Sequence, residues 1–158
     1  MVSMIDASDE LLALLNTTKR IDGVSADLLD GRWLRDHGAA SESVADARRL
    51  RDDLQRVVRG DAGASVLADY ISGASRTPVV VGGGVEWTLH ADWPARMVLA
   101  WSEIQAEMPG RLKACDNHDC LQFLLDRSRS GTGRWCSMSG CGNRMKARRH
   151  YERSRAGD

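Results

Sequence analysis

The chain has 158 residues, with 22 Lys+Arg against 22 Asp+Glu, 42% apolar residues, 15 Gly, three Pro and four Cys, a length that admits one domain or a small core with an accessory module. Charged residues at 28% beside an ordinary apolar content exclude a mainly disordered or fibrous chain. No apolar run approaches the ~18 residues that cross a bilayer, and MVSMIDASDELL shows no basic stretch leading into an apolar core; a soluble, cytoplasmic protein with no membrane partner is expected.

In chain order, Leu11 to Leu15 read as part of a first helix. Residues 25 to 37 (SADLLDGRWLRDH) predict a second, with Ser25 placed to cap and Leu29, Trp33, Leu34 and His37 recurring on one face. A longer helix follows in SESVADARRLRDDLQRVVRG. Ser41 is its expected cap, Ala47, Leu50, Leu54, Val57 and Val58 its apolar stripe, Arg and Asp its other side, and Gly60 its end. Residues 61 to 73 repeat the pattern through Val66, Leu67, Tyr70 and Ile71, closed by Gly73. TPVVVGGGVEWTLH (77 to 90) then changes rhythm: two β-branched strands around Gly82-Gly83-Gly84, with Val85, Trp87 and Leu89 alternating against Glu86, Thr88 and His90, predict a hairpin. Asp92 and Pro94 open a helix whose Met97, Trp101, Ile104 and Met108 share a face, and Pro109-Gly110 stops it.

The neutral total is divided at that stop. Residues 1 to 110 carry 11 basic and 17 acidic groups, residues 111 to 158 carry 11 and five, so an acidic body of net −6 precedes a basic module of net +6. All four cysteines lie in the module, as Cys115, Cys120, Cys136 and Cys141, the pattern C-x4-C-x15-C-x4-C. Two close pairs separated by a hairpin-sized interval match what one tetrahedral ion needs. Soft thiolates in a closed set of four point to one structural Zn²⁺, with no open position for a catalytic water. An iron–sulfur cluster, two disulfides and four unligated core cysteines are the alternatives, and His118 could replace one cysteine as ligand. A module of 48 residues buries little apolar surface, and zinc supplies on the order of 10 kcal/mol to such units, so metal binding and folding should be one event. Trp135 either shields the sulfurs or serves as the module's core aromatic. Loss of Cys136 should on this reading unfold residues 111 to 158 and spare the body.

After Cys141, GNRMKARRHYERSRAG predicts a basic helix, with Arg144, Arg148 and Arg155 on one side, Lys146, Arg149 and Arg153 beside them, and Met145 facing inward. Such a helix suits a nucleic-acid duplex, where cations displace condensed counterions and Arg reaches base edges; a merely solvated helix is the bland alternative. Four thiolates and one Zn²⁺ contribute −2, leaving the assembled module at about +4. Arg134 could therefore serve the anionic site as well as DNA, and Asn143 could read adenine or bond locally at the helix start.

CDNHDCLQFLLDRSRSGTGRWCSMSGCGNRMKARRHYERSR resembles the CGNR zinc finger, through its aromatic-Leu-Leu-Asp-Arg-Ser segment, its WCSM run and Cys141-Gly142-Asn143-Arg144 followed by Lys146 and Arg148. That resemblance implies a small zinc-ribbon or treble-clef-like module at the end of bacterial transcription regulators that bind DNA, with Cys115, Cys120, Cys136 and Cys141 as ligands. LLALLNTT with Asn16-Thr17, DLLDGRWLRDHG and ARRLRDDLQRVV are similar to the ABATE-like, stress-induced regulator domain that commonly precedes this finger.

The expected architecture is α+β: a mainly helical domain with a β-hairpin over 1–110, and the zinc module with its basic helix over 111–158. No G-x-S-x-G elbow, Walker loop or H-E-x-x-H is present, so no enzyme is expected. The expected function is transcription regulation through duplex DNA contacts from Arg134, Asn143, Arg144, Lys146, Arg148, Arg149 and Arg153. The body would sense a small effector, with Asn16, Trp87 or His90 as candidate pocket residues, or form a homodimer. The alternative is a zinc-containing adaptor for an acidic protein, RNA polymerase or RNA.

Overall fold

A computed structural model describes residues 4–21 and 23–156. Helix α1 (Met4–Leu15) buries Leu11, Leu14 and Leu15. Strands β1 (Thr18–Ile21) and β2 (Val24–Asp27) pair antiparallel, with Thr18 opposite Asp27 and Ile21 opposite Val24. Ser25 therefore sits in a strand opposite Arg20 and caps nothing. The expected helix over 25–37 shrinks to α2 (Gly31–Asp36), capped by Asp30, whose carboxylate accepts the Trp33 amide at 2.7 Å. The reason lies far along the chain. Asp27 is gripped by the Arg51 guanidinium through two hydrogen bonds of 2.6 and 3.1 Å, and its Oδ1 accepts the Leu29 amide, which fixes residues 27 to 29 in a turn.

Helix α3 (Val44–Arg59) ends at Gly60 as expected and starts two residues late, on Ser43, whose Oγ accepts the Asp46 amide at 3.0 Å. Ser43 prevails over Ser41 because an acid three residues on completes a reciprocal cap, Ser43 Oγ donating to Asp46 Oδ2 at 2.6 Å. Ala47, Leu50 and Leu54 are buried and Val57 and Val58 half-buried, the stripe the periodicity predicts. Arg51, assigned to the wet side, is only 4% exposed. Besides Asp27 it donates to Thr17 Oγ1 at 3.1 Å and to Asp52 at 2.9 Å, so it ties the end of α1, the hairpin and α3 together. Two ion partners and a hydroxyl satisfy its guanidinium, which is what makes burying that charge tolerable.

The segment after Gly60 forms two short 3₁₀ turns, Ala64–Leu67 and Asp69–Ile71, in place of one α-helix; neither start has a side-chain cap. Leu67 is buried, and the half-buried Tyr70 donates to Asp53 at 2.9 Å. Strands β3 (Ser75–Val81) and β4 (Gly84–His90) form the predicted hairpin about Gly82-Gly83, pairing Pro78 with Trp87 and Val80 with Val85. Directly opposed residues share a face, so Pro78, Val80, Val85, Trp87 and Leu89 make one largely apolar side, with Arg76 opposite Leu89 at its end. That side is uncovered: Trp87 is 63% and Val80 84% exposed.

Helix α4 (Trp93–Glu107) is capped by Asp92, with Pro94 in its first turn, and buries Trp93, Met97, Val98, Ala100 and Ile104 against α1. Trp101 and Met108 are half-buried. Beyond Pro109-Gly110, β5 (Leu112–Ala114) and β6 (Phe123–Leu125) pair antiparallel, and π-helical residues Met138–Gly142 lead into α5 (Asn143–Ala156). Leu112 and Phe123 lie in the same apolar cluster as Leu11, Leu14, Leu50 and Leu54, so the core is continuous across residue 110. Among the described residues no helix is long and apolar enough to cross a membrane.

Candidate metal centre and basic surface

Cys115 leaves β5 and Cys120 precedes β6 by two residues, so the first knuckle is the turn of the β5–β6 hairpin. It is closed by the Cys115 amide on the Gln122 carbonyl (2.9 Å) and the Cys120 amide on the Asn117 carbonyl (2.8 Å). The second knuckle, Cys136 to Cys141, is a wide turn in which the Gly142 amide reaches the Ser137 carbonyl at 2.9 Å, an i→i+5 bond, and Ser137 Oγ accepts the Gly140 amide at 3.0 Å. That wider ring fits four residues between two ligands and delivers Cys141 to the start of α5. One knuckle lies in a hairpin turn and one at a helix start, which is the treble-clef-like of the two arrangements expected.

The four sulfurs lie within 4.8 Å of one another, with Cys120 and Cys141 each 3.7 Å from the Cys136 sulfur. A tetrahedron of Zn–S bonds has an edge of about 3.8 Å, so these separations are those of ligands around one ion. An iron–sulfur cluster inserts several irons and sulfides between its cysteines and spreads them wider than one tetrahedron, and the four cysteines are free, not bridged. The donor set is therefore positioned for a single zinc. His118 is exposed and stands outside the quartet.

The surroundings fit a charged sulfur set. Burial pushes the Cys120 thiol up to about 11, with the Gln122 amide partly opposing it, and burial raises Cys136 further. For Cys141 burial again acts upward, but hydrogen bonds from Asn117 and the neighbouring cysteines outweigh it and hold the thiol below its ordinary value. A dication is what lets the raised thiols ionise, so loading releases protons. N–H groups aim at the sulfurs: Gln122 to Cys120 and Cys136 to Cys115, both at 3.4 Å, and Asn117 Nδ2 to Cys141 at 3.3 Å. Asn117, 4% exposed, thus links the knuckles, a role no spacing rule indicates. Gly142 leaves little room: a Cβ there would lie 3.0 Å from Met138 Sδ and 3.2 Å from Trp135 Cδ1, so these side chains would have to give by a few tenths of an ångström. Trp135 packs on that glycine half-buried and carries two cations on its ring, Arg134 at 5.0 Å and Arg149 at 5.9 Å.

The loop between the knuckles is organised by Asp126. Its Oδ1 accepts from the Ser128 amide and hydroxyl (3.0 and 2.6 Å), its Oδ2 from the Gly133 amide (2.7 Å), and Lys113 lies 3.7 Å away. Those donors, Ser128 foremost, draw its carboxyl from 3.8 down to about 2. With the folded value depressed, this carboxylate's contribution is complete above about pH 4 and lost as pH falls toward about 2. Protons displace zinc from thiolates at milder acidity, so the metal sets the acid limit first. Asp126→Asn presents an amide that cannot accept at both positions. It is expected to lower the melting temperature at pH 7 with zinc content retained; an unchanged melt would show that the loop does not depend on the carboxylate.

The module is docked on the body. Asn16 Oδ1 accepts the Phe123 amide (2.7 Å), its Nδ2 donates to the Phe123 carbonyl (3.2 Å), and Gln122 Nε2 donates to the Asn16 carbonyl (3.2 Å). Arg59 lies 4.4 Å over the Phe123 ring, and Arg127 pairs with Asp9. Asn16 is thus a clamp on β6 rather than a pocket residue, while Trp87 and His90 stand exposed on β4.

Every residue of α5 from Asn143 to Arg155 is exposed except the half-buried Met145. Of the cations assigned to DNA, Arg134 is engaged with Asp116 at 2.6 Å and Arg148 faces Asp119 at 3.5 Å. Arg144 and Lys146 have no partner among the described residues, and Arg153 Nε donates only to the Arg149 carbonyl. Asn143 bonds the Ser139 carbonyl at 3.4 Å, the local option, and remains exposed.

Residues 111–154 match the CGNR zinc finger family. The match and the four-sulfur geometry together make this a zinc-binding protein with a CGNR zinc finger at residues 111–154. No curated protein matches the chain. The resemblance of the N-terminal part to a stress-induced regulator domain gains no support from these comparisons.

Proposed function

We propose that the protein is a transcription regulator that binds duplex DNA through its zinc finger, with α5 lying along the phosphates. The observation that carries this reading is α5 itself. It is a 14-residue helix, about 21 Å long at 1.5 Å per residue, with six Lys or Arg against the single Glu152 and no face packed on the body. A helix polar all round gains little from packing, and counterion release from a polyanion supplies the missing stabilisation. The zinc knuckle fixes where the helix starts. A map of genomic occupancy for the tagged protein, repeated with residues 143–158 deleted, tests the reading: discrete sites that vanish with the deletion are expected, and unchanged occupancy would refute it.

The body's part in this reading is self-association. Val80, Val85, Trp87 and Leu89 are 84%, 58%, 63% and 43% exposed on β3–β4, and a contiguous uncovered apolar strip of this kind marks an interface. Paired about a two-fold axis, this strip would join two copies of the chain, and a dimer would present two fingers. Sedimentation is expected to give twice the chain mass, and Trp87→Ser half of that; a monomeric wild type would remove this part of the reading. The adaptor alternative predicts partner binding without nucleic acid and without its steep salt dependence.

A further inference from the structure

Two cations of the acidic body have no partner among the described residues and lie beside the zinc centre. Lys19 and Arg20 are adjacent on β1, both exposed, and neither takes part in an ion pair or hydrogen bond among the described residues. Elsewhere in the body Arg32, Arg48, Arg49, Arg51 and Arg56 each have a carboxylate, while Arg35, Arg76 and Arg96, unpaired among the described residues, do not line this cleft. Lys19 and Arg20 border a cavity of about 550 Å³ that is also lined by the second knuckle and Arg144.

We propose that this cleft is a second phosphate-contact surface, in which the β1–β2 hairpin and the start of α5 hold the backbone of the same duplex. This rests on the duplex-binding reading and adds a contact that the finger alone lacks. Three cations without a partner among the described residues, Lys19, Arg20 and Arg144, converge on one opening from two parts of the chain. Among the described residues lining the cleft the one carboxylate, Asp119, faces Arg148 at 3.5 Å. The sulfur wall carries negative charge when loaded, which raises the question whether these cations merely neutralise it. The hydrogen bonds argue otherwise: the sulfurs are served by Asn117 and by backbone amides, and no bond from Lys19, Arg20 or Arg144 reaches them. Long cationic side chains at the rim remain free for an anion brought from outside. The hairpin is also rigidly placed, because Asp27, directly opposite Thr18, is held by the buried Arg51. A rigid ribbon beside a protruding helix gives two fixed contact lines along one polyanion.

The test uses the zinc-loaded full chain and a 30-base-pair duplex of arbitrary sequence, with binding followed by fluorescence anisotropy across a salt series. Lys19→Ala/Arg20→Ala is expected to weaken binding about tenfold or more at low salt and to flatten the log K against log salt slope by about two units, one per phosphate lost. Zinc content and melting temperature should stay at wild-type values. The exchange Lys19→Arg/Arg20→Lys keeps both charges and should keep the slope. Unchanged affinity and slope in the double alanine variant, while Arg148→Ala/Arg149→Ala weakens binding, would overturn the cleft and leave duplex binding by α5 intact. Loss of zinc from the double alanine variant would equally overturn it, by showing that the cations serve the sulfurs. A wild type that does not bind the duplex would remove the functional reading and this inference together.

Discussion

Cys136→Ser is expected to strip the zinc and to lower the stability of the body as well as of residues 111–154. The Cys136 sulfur stands 3.7 Å from those of both Cys120 and Cys141, so its loss opens the tetrahedron on two edges. With one hydroxyl in place of a thiolate the site forfeits much of the binding energy that folds such modules, on the order of 10 kcal/mol for the complete set. The two knuckles are then joined to each other mainly by the Asn117 tether and the Asp116–Arg134 contacts. Composition alone assigns the damage to the module. Packing extends it, because Leu112 and Phe123 are 3% and 1% exposed within the body's own cluster. Burial of each is worth about 2 to 3 kcal/mol, and a loosened β5–β6 hairpin puts both at risk. The measurements are zinc by elemental analysis and thermal melting by circular dichroism. One melt at a reduced temperature is the expected result. An unshifted body melt would show that the finger folds apart from the body, and full zinc occupancy would overturn the ligand assignment.

Arg148→Ala/Arg149→Ala should weaken duplex binding by roughly ten- to a hundredfold at low salt and flatten the salt slope by about two units, with zinc retained. Both side chains are exposed near the middle of α5, and Arg149 is also steadied 5.9 Å over the Trp135 ring. Arg134→Ala is the instructive contrast. That guanidinium is committed to Asp116 at 2.6 Å and to Trp135 at 5.0 Å, so its removal is expected to lower the melting temperature of the finger more than it changes the slope. The reverse ranking, with Arg134 dominating the slope and the α5 pair without effect, would move the contact surface from the helix to the loop between the knuckles.

The quartet was legible in the sequence because a metal site is written in local spacing: two pairs with four residues between each can close on one ion with little help from elsewhere. The ends of α4 and the β3–β4 turn were legible for the same reason, since Asp92, Pro94 and Gly82-Gly83 act on their immediate neighbours. The helix expected over 25–37 failed because its apolar period is real only from Leu29 onward. The Arg51–Asp27 pair, 24 residues apart, overrides the pattern upstream. Asn117 and Asp126 were missed as organisers because a buried polar residue and an exposed one look alike in sequence. Their partners, Cys141 and Gly133, lie 24 and seven residues away.

By itself the sequence determined the ligand identities, the basic helix and the division of charge, since each depends on residue type and short-range periodicity. Only the tertiary structure decided that Asn16 clamps β6, that the finger shares the body's core, that the apolar side of β3–β4 is left bare, and that Lys19 and Arg20 border the zinc cleft. Those outcomes depend on which surfaces meet after the chain has closed on itself. Burial and charge balance are properties of that meeting, not of any stretch of residues read alone.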